Sequence, residues 1–114
     1  MSELDIPSIE RDIAKYKGEI KLLDALNRLE KNADYKLLIG NGYLKEEALR
    51  IVSLRTDPST QSELSQRNLI RDIDGIASFQ DYLRHIRIDG ENAKNSVNQS
   101  EQTLEAALIE ENQE

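Results

Sequence analysis

The sequence predicts an all-α fold, and three observations support that prediction. Apolar residues recur at steps of three and four along most of the 114 residues, which is the spacing of one helix face. Aromatic residues make up only 4% of the chain, so the core has to be built from Leu and Ile. Charged residues reach 32%, against a usual ~25%, which is typical of helices with a large solvated surface. We therefore expect an elongated helical hairpin or bundle with a long N-terminal helix, two short helices and a long C-terminal helix.

The first helix is predicted over residues 5–31. Its apolar residues follow the a/d alternation of a heptad at Ile6, Ile9, Ile13, Tyr16, Ile20 and Leu23, and Leu26 and Leu29 continue the stripe. Pro7 falls in the first turn, where its missing N–H costs no hydrogen bond. Gly18 is the weak position, at about 1 kcal/mol relative to Ala.

Two short helices are predicted in the middle of the chain. Asp34 is placed to cap the first of them. The Gly-Asn-Gly at residues 40–42 ends it, since Gly and Asn tolerate positive φ at a helix C-terminus. The second covers residues 43–54 and ends before Pro58, because the residue preceding a proline is pushed out of helical space.

A phosphate-binding loop is disfavoured at residues 40–42. Such a loop follows a strand and supplies a Lys and a Ser or Thr at the start of the next helix. Here the next helix opens with Glu46 and Glu47, which would repel a phosphate. The glycines therefore predict a corner between helices.

After Pro58, helical spacing continues to the end of the chain. Thr60 and Glu63 are spaced as a capping box, and Gly75 and Gly90 are the expected bends or ends. Before Gly90 the seam consists of large residues, namely Leu64, Ile70, Ile73, Ile76, Phe79, Leu83 and Ile86. After Gly90 the seam is weaker, at Ala93, Val97, Ser100, Leu104 and Ala107. A seam of small residues either lets helices approach closely or belongs to a segment ordered only in an assembly.

These patterns predict a helical domain over residues 1–90 and a polar, acidic C-terminal arm over residues 91–114, either helical or disordered. Within the domain, the stripe of residues 6–29 is expected to pack on the seam of residues 70–86. The aromatic residues expected to cluster at one end of this hairpin are Tyr35, Tyr43, Phe79 and Tyr82. Whether the heptad packs within one chain or between chains stays open.

The net charge of −7 disfavours nucleic acid as a partner, since nucleic-acid-binding proteins usually present a basic face. Four arginines on the long helix, Arg67, Arg71, Arg84 and Arg87, could contact phosphates. However, Asp74, Asp81 and Glu91 lie within one turn of three of them and cancel the patch. A basic protein surface is the better partner.

The composition indicates a soluble, intracellular, non-enzymatic protein. The chain has no Cys, which removes thiolate metal sites and thiol nucleophiles, and its single His85 has Asp81 as an i,i+4 neighbour. Neither a signal pattern in the acidic start "MSELDIPSIERD" nor a membrane-spanning run is present. We predict no catalytic residue, no metal and no cofactor.

The acidic C-terminal arm is the candidate partner-binding segment. After Lys94 the chain has no basic residue, while Glu114 and several other glutamates fall there. A solvated tail is one interpretation. The other is an arm that docks on a basic partner through apolar and acidic side chains, at Leu104, Leu108, Ile109, Glu101, Glu105, Glu110 and Glu111.

Residues 26–88 resemble a family of short helical proteins that tailed bacteriophages encode. The resemblance is carried by "NADY", "GY", "DP" and "IDGIASFQDYLR", at Asn32, Asp34, Tyr35, Gly42, Tyr43, Asp57, Pro58, Ile73, Asp74, Ile76, Tyr82 and Arg84. Outside residues 26–88 the chain matches this family only in being helical and charged. The resemblance implies a phage origin and a place among small proteins that are often encoded near virion genes.

The leading hypothesis is therefore a bacteriophage virion or assembly protein that oligomerises through its helices and docks on larger structural subunits. It would be found in the host cytoplasm during assembly and then in the virion. The alternatives are a small helical adaptor for nucleic-acid packaging or regulation, and an acidic anti-host factor. Capsid decoration, a neck or connector component and an internal scaffold stay equally open.

Overall fold

The computed structural model describes residues 5–113, and these residues form helices without any strand. The all-α prediction is confirmed, with a long N-terminal helix at Ile6–Glu30 and a long C-terminal helix at Glu63–Asn112. Between them lie a middle helix over residues 33–54 and a short 3-10 helix at Pro58–Thr60. Residues 1–4 of the predicted N-terminal segment and Glu114 of the predicted arm lie outside the described residues.

The two predicted short helices are joined in one middle helix of 22 residues. Its ends, Ala33–Tyr35 and Ala48–Leu54, are α-helical, and Lys36–Glu47 between them is π-helical. The predicted corner at residues 40–42 is wrong, since no residue of the described chain has a positive φ. Gly40 and Gly42 instead continue the helix.

Residue 42 favours glycine because there is little room for a Cβ, and not because its backbone adopts a conformation that only glycine tolerates. In a π-helix each N–H bonds to the carbonyl five residues earlier, so residue 42 lies close to the carbonyl of Leu37. A Cβ at Gly42 would lie 3.0 Å from the Leu37 carbonyl oxygen, whereas one at Gly40 would lie 4.0 Å from that of Tyr35. The segment therefore favours glycine most strongly at position 42.

Asn32 caps the middle helix, and the prediction that Asp34 does so is wrong. The Asn32 side-chain oxygen accepts a hydrogen bond from the Tyr35 N–H at 3.0 Å. Asp34 lies inside the first turn, where its carboxylate complements the positive end of the helix dipole. Both residue types can cap a helix, and backbone position decides between them.

The turn between the middle and C-terminal helices is held by side chains. Asp57 Oδ1 accepts hydrogen bonds from the Ser59 hydroxyl at 2.6 Å and the Ser59 N–H at 2.8 Å, and these bonds lower the pKa of Asp57. The predicted Thr60–Glu63 capping box is wrong, because the Thr60 hydroxyl donates to the carbonyls of Leu54 and Asp57.

Ser62, and not Thr60, caps the C-terminal helix. Its hydroxyl oxygen accepts a hydrogen bond from the Ser65 N–H at 3.1 Å. The helix then runs unbroken from Glu63 to Asn112, so Gly75 and Gly90 neither end nor interrupt it. Residues 91–112 are therefore part of this helix.

The chain divides into two compact units. Unit 1 comprises Met1–Leu26 and Ile86–Glu114, and unit 2 comprises Asn27–His85. The boundaries of these units fall after residue 26 and before residue 86. The predicted packing of residues 6–29 on residues 70–86 is wrong for residues 6–26, which group with residues 86–114.

Unit 1 is an antiparallel pairing of the N-terminal helix with the second half of the C-terminal helix. Its buried apolar residues are Ile13, Leu23 and Leu26 on the first helix and Ala93, Val97 and Ala107 on the second. The heptad stripe from Ile6 to Leu26 is buried or half-buried, whereas Leu29, which was predicted to continue it, is 46% exposed. Leu23 is fully buried and lies so close to Gly90 that a Cβ there would be 2.4 Å from the Leu23 Cβ. The small-residue seam therefore lets these helices approach closely.

Unit 2 packs the middle helix on the first part of the C-terminal helix. Ile51 and Ile76 are each 2% exposed and form its buried centre. The rings of Tyr43 and Phe79 meet edge to face, with centroids 6.2 Å apart and planes at 78°. Of the predicted aromatic cluster, this is the ring pair present among the described residues, and Tyr82 is 59% exposed.

Candidate protein-interaction surfaces

An open groove of about 700 Å³ lies in unit 2 between the middle helix and the C-terminal helix. Five of its lining residues come from the π-helical segment, and π-helical turns occur frequently at functional sites. The remainder come from the α-helical turns on either side of the groove. The groove is lined by Leu38, Gly42, Tyr43, Glu46, Glu47, Arg50, Ile51, Arg71, Asp72, Gly75 and Ile76.

Both helices contribute a glycine, Gly42 and Gly75, to the lining of the groove. A Cβ at Gly75 would lie at an ordinary contact distance of 3.9 Å from the Tyr43 hydroxyl oxygen. Ile51 and Ile76 form the apolar floor. Leu38 stands at the edge with most of its side chain exposed.

The charged residues of the groove are mostly paired with one another. Arg50 Nε lies 3.1 Å from each carboxylate oxygen of Glu47, and its Nη2 also donates to Glu47. The hydrogen bond from Arg50 lowers the pKa of Glu47, and the same bond raises the pKa of Arg50. Arg71 Nε lies 3.8 Å from Asp72 Oδ1. The groove therefore has an apolar floor, and its walls hold two arginines that lie beside Glu47 and Asp72 together with a third carboxylate, Glu46.

Exposed apolar side chains lie on the middle helix, and one of them, Leu38, also lines the groove. Leu37, Leu38, Leu49 and Val52 are between 55% and 67% exposed. Leu49 and Val52 lie three residues apart in an α-helical segment, so their side chains are neighbours. Exposed apolar residues grouped in this way mark sites of protein–protein contact.

The predicted partner-binding residues all lie in unit 1, on the last three turns of the C-terminal helix. Leu108 is 44% and Ile109 50% exposed, whereas Leu104 is half-buried beside the buried seam. Glu101 Oε1 lies 3.5 Å from Lys17 Nζ, so it is an intramolecular ion-pair partner. The exposed glutamates at this end are Glu105 and Glu111, while Glu110 is half-buried and already interacts within the chain. Their role in binding stays a prediction.

The net charge is distributed unevenly between the units. Unit 2 contains nine Lys or Arg and nine Asp or Glu residues. Unit 1 contains six Lys or Arg against thirteen Asp or Glu residues, so it carries the whole net charge of −7. A partner that is attracted by charge would therefore be attracted to unit 1.

Three arginines of the C-terminal helix and its histidine lie beside carboxylates. Arg84 lies 3.0 Å from Asp81, as predicted, and His85 Nδ1 lies 3.7 Å from the same carboxylate. Arg67 pairs with Glu63 at 3.0 Å. Arg71 pairs with its neighbour in the groove and not with the predicted Asp74.

Across residues 5–113, the His, Asp and Glu side chains form no group of three or more that could hold a metal ion. None of the helices in the described part of the chain has a stretch long and apolar enough to cross a membrane.

In comparisons with known proteins, the chain matches no family model, no curated protein and no solved structure. The groove and the exposed apolar residues of the middle helix are known from the structure alone. Sequence analysis missed both, because an apolar run such as residues 37–39 does not show which of its side chains stay exposed. The signal that could have indicated the groove was Gly75, a glycine inside an otherwise strong helical pattern.

Proposed function

We propose that this chain is a non-enzymatic protein that acts by docking its helices on other proteins during the assembly of a bacteriophage particle. The observation that carries the proposal is the set of exposed apolar side chains on the middle helix of unit 2, among which Leu38 lines the groove. Such residues favour contact with a protein over contact with solvent. The sequence adds that there is no Cys and a single His, which leaves few groups for nucleophilic or acid–base chemistry.

The acidic character of unit 1 supports a basic protein surface as the docking partner. The exposed Leu108 and Ile109 would supply apolar contact, and Glu105 and Glu111 would supply charge complementarity. A partner bound in this way would be sensitive to salt, because exposed charges are screened beyond about 10 Å at 0.1 M ionic strength.

The phage context rests on the resemblance of residues 26–88 to short helical phage proteins. It places the chain in the host cytoplasm during assembly and then in the virion. A nucleic-acid adaptor receives less support, since Arg67 and Arg84 are engaged with carboxylates at 3.0 Å and unit 2 has no excess of positive charge. An acidic anti-host factor would have to act through unit 1.

Quantitative mass spectrometry tests this proposal on purified mature particles of the phage that encodes the chain. The copy number of the chain is measured against that of the major capsid protein. We expect a fixed ratio from one preparation to the next, and its value distinguishes a neck or connector component from a shell protein. Absence from mature particles would overturn a virion role and leave a scaffold or a host-directed protein.

A further inference from the structure

The middle helix carries an apolar pattern that fits a different helical register from the one it adopts. Leu37, Leu44 and Ile51 recur every seven residues, and seven residues make about two α-helical turns. In an α-helix these three side chains would therefore share one face. In the structure Ile51 is 2% exposed and Leu44 is half-buried, whereas Leu37 is 67% exposed.

The π-helical segment Lys36–Glu47 explains why Leu37 is off this face. Each N–H in a π-helix bonds to the carbonyl five residues earlier, which gives roughly 4.4 residues per turn. The seven residues from Leu37 to Leu44 then make about one and a half turns, so the two positions fall on opposite sides of the helix. The sequence thus has the apolar pattern of an α-helix where the backbone is π-helical.

The groove of unit 2 depends on the π-helical register. Leu38 and Glu47 both line it, and they are nine residues apart. Nine residues make about two π-helical turns, which places both residues on one side of the helix. The same nine residues would make about two and a half α-helical turns, which would place them on opposite sides. An α-helical register would therefore bring Leu37 onto the face of Leu44 and remove Leu38 from the wall of the groove.

Glycine at residue 42 leaves both registers accessible. In the π-helical register a Cβ there would lie 3.0 Å from the Leu37 carbonyl oxygen, so a larger residue would favour the α-helical register. Glycine is itself a poor α-helix former, so it does not favour that register either. The backbone is right-handed helical at both ends of the segment, at Tyr35 and Ala48. A change of register therefore needs each N–H to exchange one carbonyl for its neighbour, without a break in the helix.

We propose that residues 36–47 form a register switch, in which the π-helical state forms the groove and an α-helical state buries Leu37 and removes Leu38 from the groove. Two packings of one sequence can coexist when their free energies are close. The α-helical state is expected in about 0.1–10% of molecules. A molecule bound in the groove would favour the π-helical state, so the switch would control access to the groove. The switch is independent of the proposed function, because it follows from the backbone and the spacing of residues 37–51 alone.

Nuclear magnetic resonance of the full chain tests the switch. Scalar couplings across hydrogen bonds identify the carbonyl that accepts from each N–H, and relaxation dispersion detects a minor state that exchanges in μs–ms. In the parent chain we expect the N–H of residue 42 to donate to the Leu37 carbonyl, with dispersion across residues 36–47. Gly42→Ala should raise the α-helical population by about fivefold or more. Gly40→Ala, whose Cβ would lie 4.0 Å from the Tyr35 carbonyl oxygen, is the matched control and should change it by less than about twofold.

Two neighbouring leucines test which side chain the second state buries. Leu37 and Leu38 are 67% and 66% exposed, but only Leu37 would be buried in the α-helical register. In the Gly42→Ala background, Leu37→Glu should lower the α-helical population by about tenfold or more, because that state would bury a carboxylate. Leu38→Glu should change it by less than about twofold. Helix content and thermal melting of each variant establish that it is folded, as expected for changes at exposed positions.

Three results would overturn the inference. The first is a parent chain in which the N–H groups of residues 36–47 already bond four residues back. The second is a Gly42→Ala variant with the same α-helical population as the parent chain. The third is an equal effect of Leu37→Glu and Leu38→Glu, which would show that the second state is not the α-helical register. The copy number in particles is measured separately, so none of these results changes the outcome for the proposed function.

Discussion

The two units of this chain use glycine in opposite ways. In unit 1, Gly90 is buried, and its missing Cβ lets Leu23 pack directly on the facing helix backbone. In unit 2, Gly75 lines an open groove, where a Cβ would fit at 3.9 Å from the Tyr43 hydroxyl oxygen without displacing any atom. A glycine inside a long helix can therefore bring two helices together or line a cleft between them.

The units also differ in where their apolar residues lie. Unit 1 combines a closely packed seam with all of the net negative charge. Unit 2 combines a small buried centre at Ile51 and Ile76 with exposed leucines and no net charge. Unit 1 is thus a closely packed, acidic helix pair suited to basic partners. Unit 2 has no net charge and is suited to apolar contact.

The largest expected effect compares neighbouring residues in each unit. Leu23→Ala and Ile51→Ala each remove a side chain that is at most 2% exposed, and each should lower the free energy of unfolding by about 2–5 kcal/mol. The controls Leu22→Ala and Val52→Ala change residues that are 51% and 55% exposed. They should stay within about 0.5 kcal/mol of the parent chain.

Urea titrations followed by circular dichroism measure these free energies. Equal losses for Leu22→Ala and Leu23→Ala would contradict the assignment of the buried face in unit 1. The same result for Val52→Ala and Ile51→Ala would contradict it in unit 2. If the Ile51→Ala transition loses its single sigmoid, the midpoint of each phase is compared instead.

Gly90→Ala tests whether the missing Cβ at residue 90 is required for the close packing of the two helices of unit 1. The new Cβ would lie 2.4 Å from the Leu23 Cβ, so the helices must move apart, and we expect a loss of about 1–3 kcal/mol in the free energy of unfolding. Gly18→Ala is the matched control, because nothing lies within 4 Å of its Cβ. It should stabilise the chain by about 0.5–1 kcal/mol, since Ala is the better helix former.

The Leu23→Ala/Gly90→Ala double variant distinguishes a close backbone approach from a simple side-chain clash. Its nearest contact is still the Cβ of residue 23, so the second change should not restore stability. Recovery to the level of Leu23→Ala alone would show that the helices separate easily. It would also show that unit 1 is packed no more tightly than unit 2.

The helices and the buried heptad face could be predicted from the sequence, because apolar spacing reports directly on burial. The steps through Ile13 and Leu23 identified the correct face of the N-terminal helix. Its packing partner could not be predicted in the same way. The seam of Ala93 and Val97 looks weak by hydrophobicity, and its strength comes from the close approach that Gly90 permits.

The glycines of the middle helix show the second limit of sequence analysis. Glycine is favoured both where φ is positive and where a Cβ has no room, and a sequence does not distinguish these two reasons. Residues 40–42 were predicted to form a corner on the first ground, whereas the structure shows the second at Gly42. The groove was missed for a related reason, since an unfilled space has no residue of its own.

The smallest expected effect concerns the two glycines of the π-helical segment. The experiment tests whether a glycine in unit 2 is needed for contacts within its own helix rather than for contacts between helices. Gly42→Ala places a Cβ 3.0 Å from the Leu37 carbonyl oxygen, and Gly40→Ala places one 4.0 Å from that of Tyr35. Both variants gain helix propensity, but only the first must displace backbone. We therefore expect Gly42→Ala to be less stable than Gly40→Ala by about 1 kcal/mol in urea titrations.

Equal stabilisation by both would show that the π-helical segment relaxes to an α-helix at no cost. The glycines would then matter in unit 1 alone, and the contrast between the units would rest on charge and exposure.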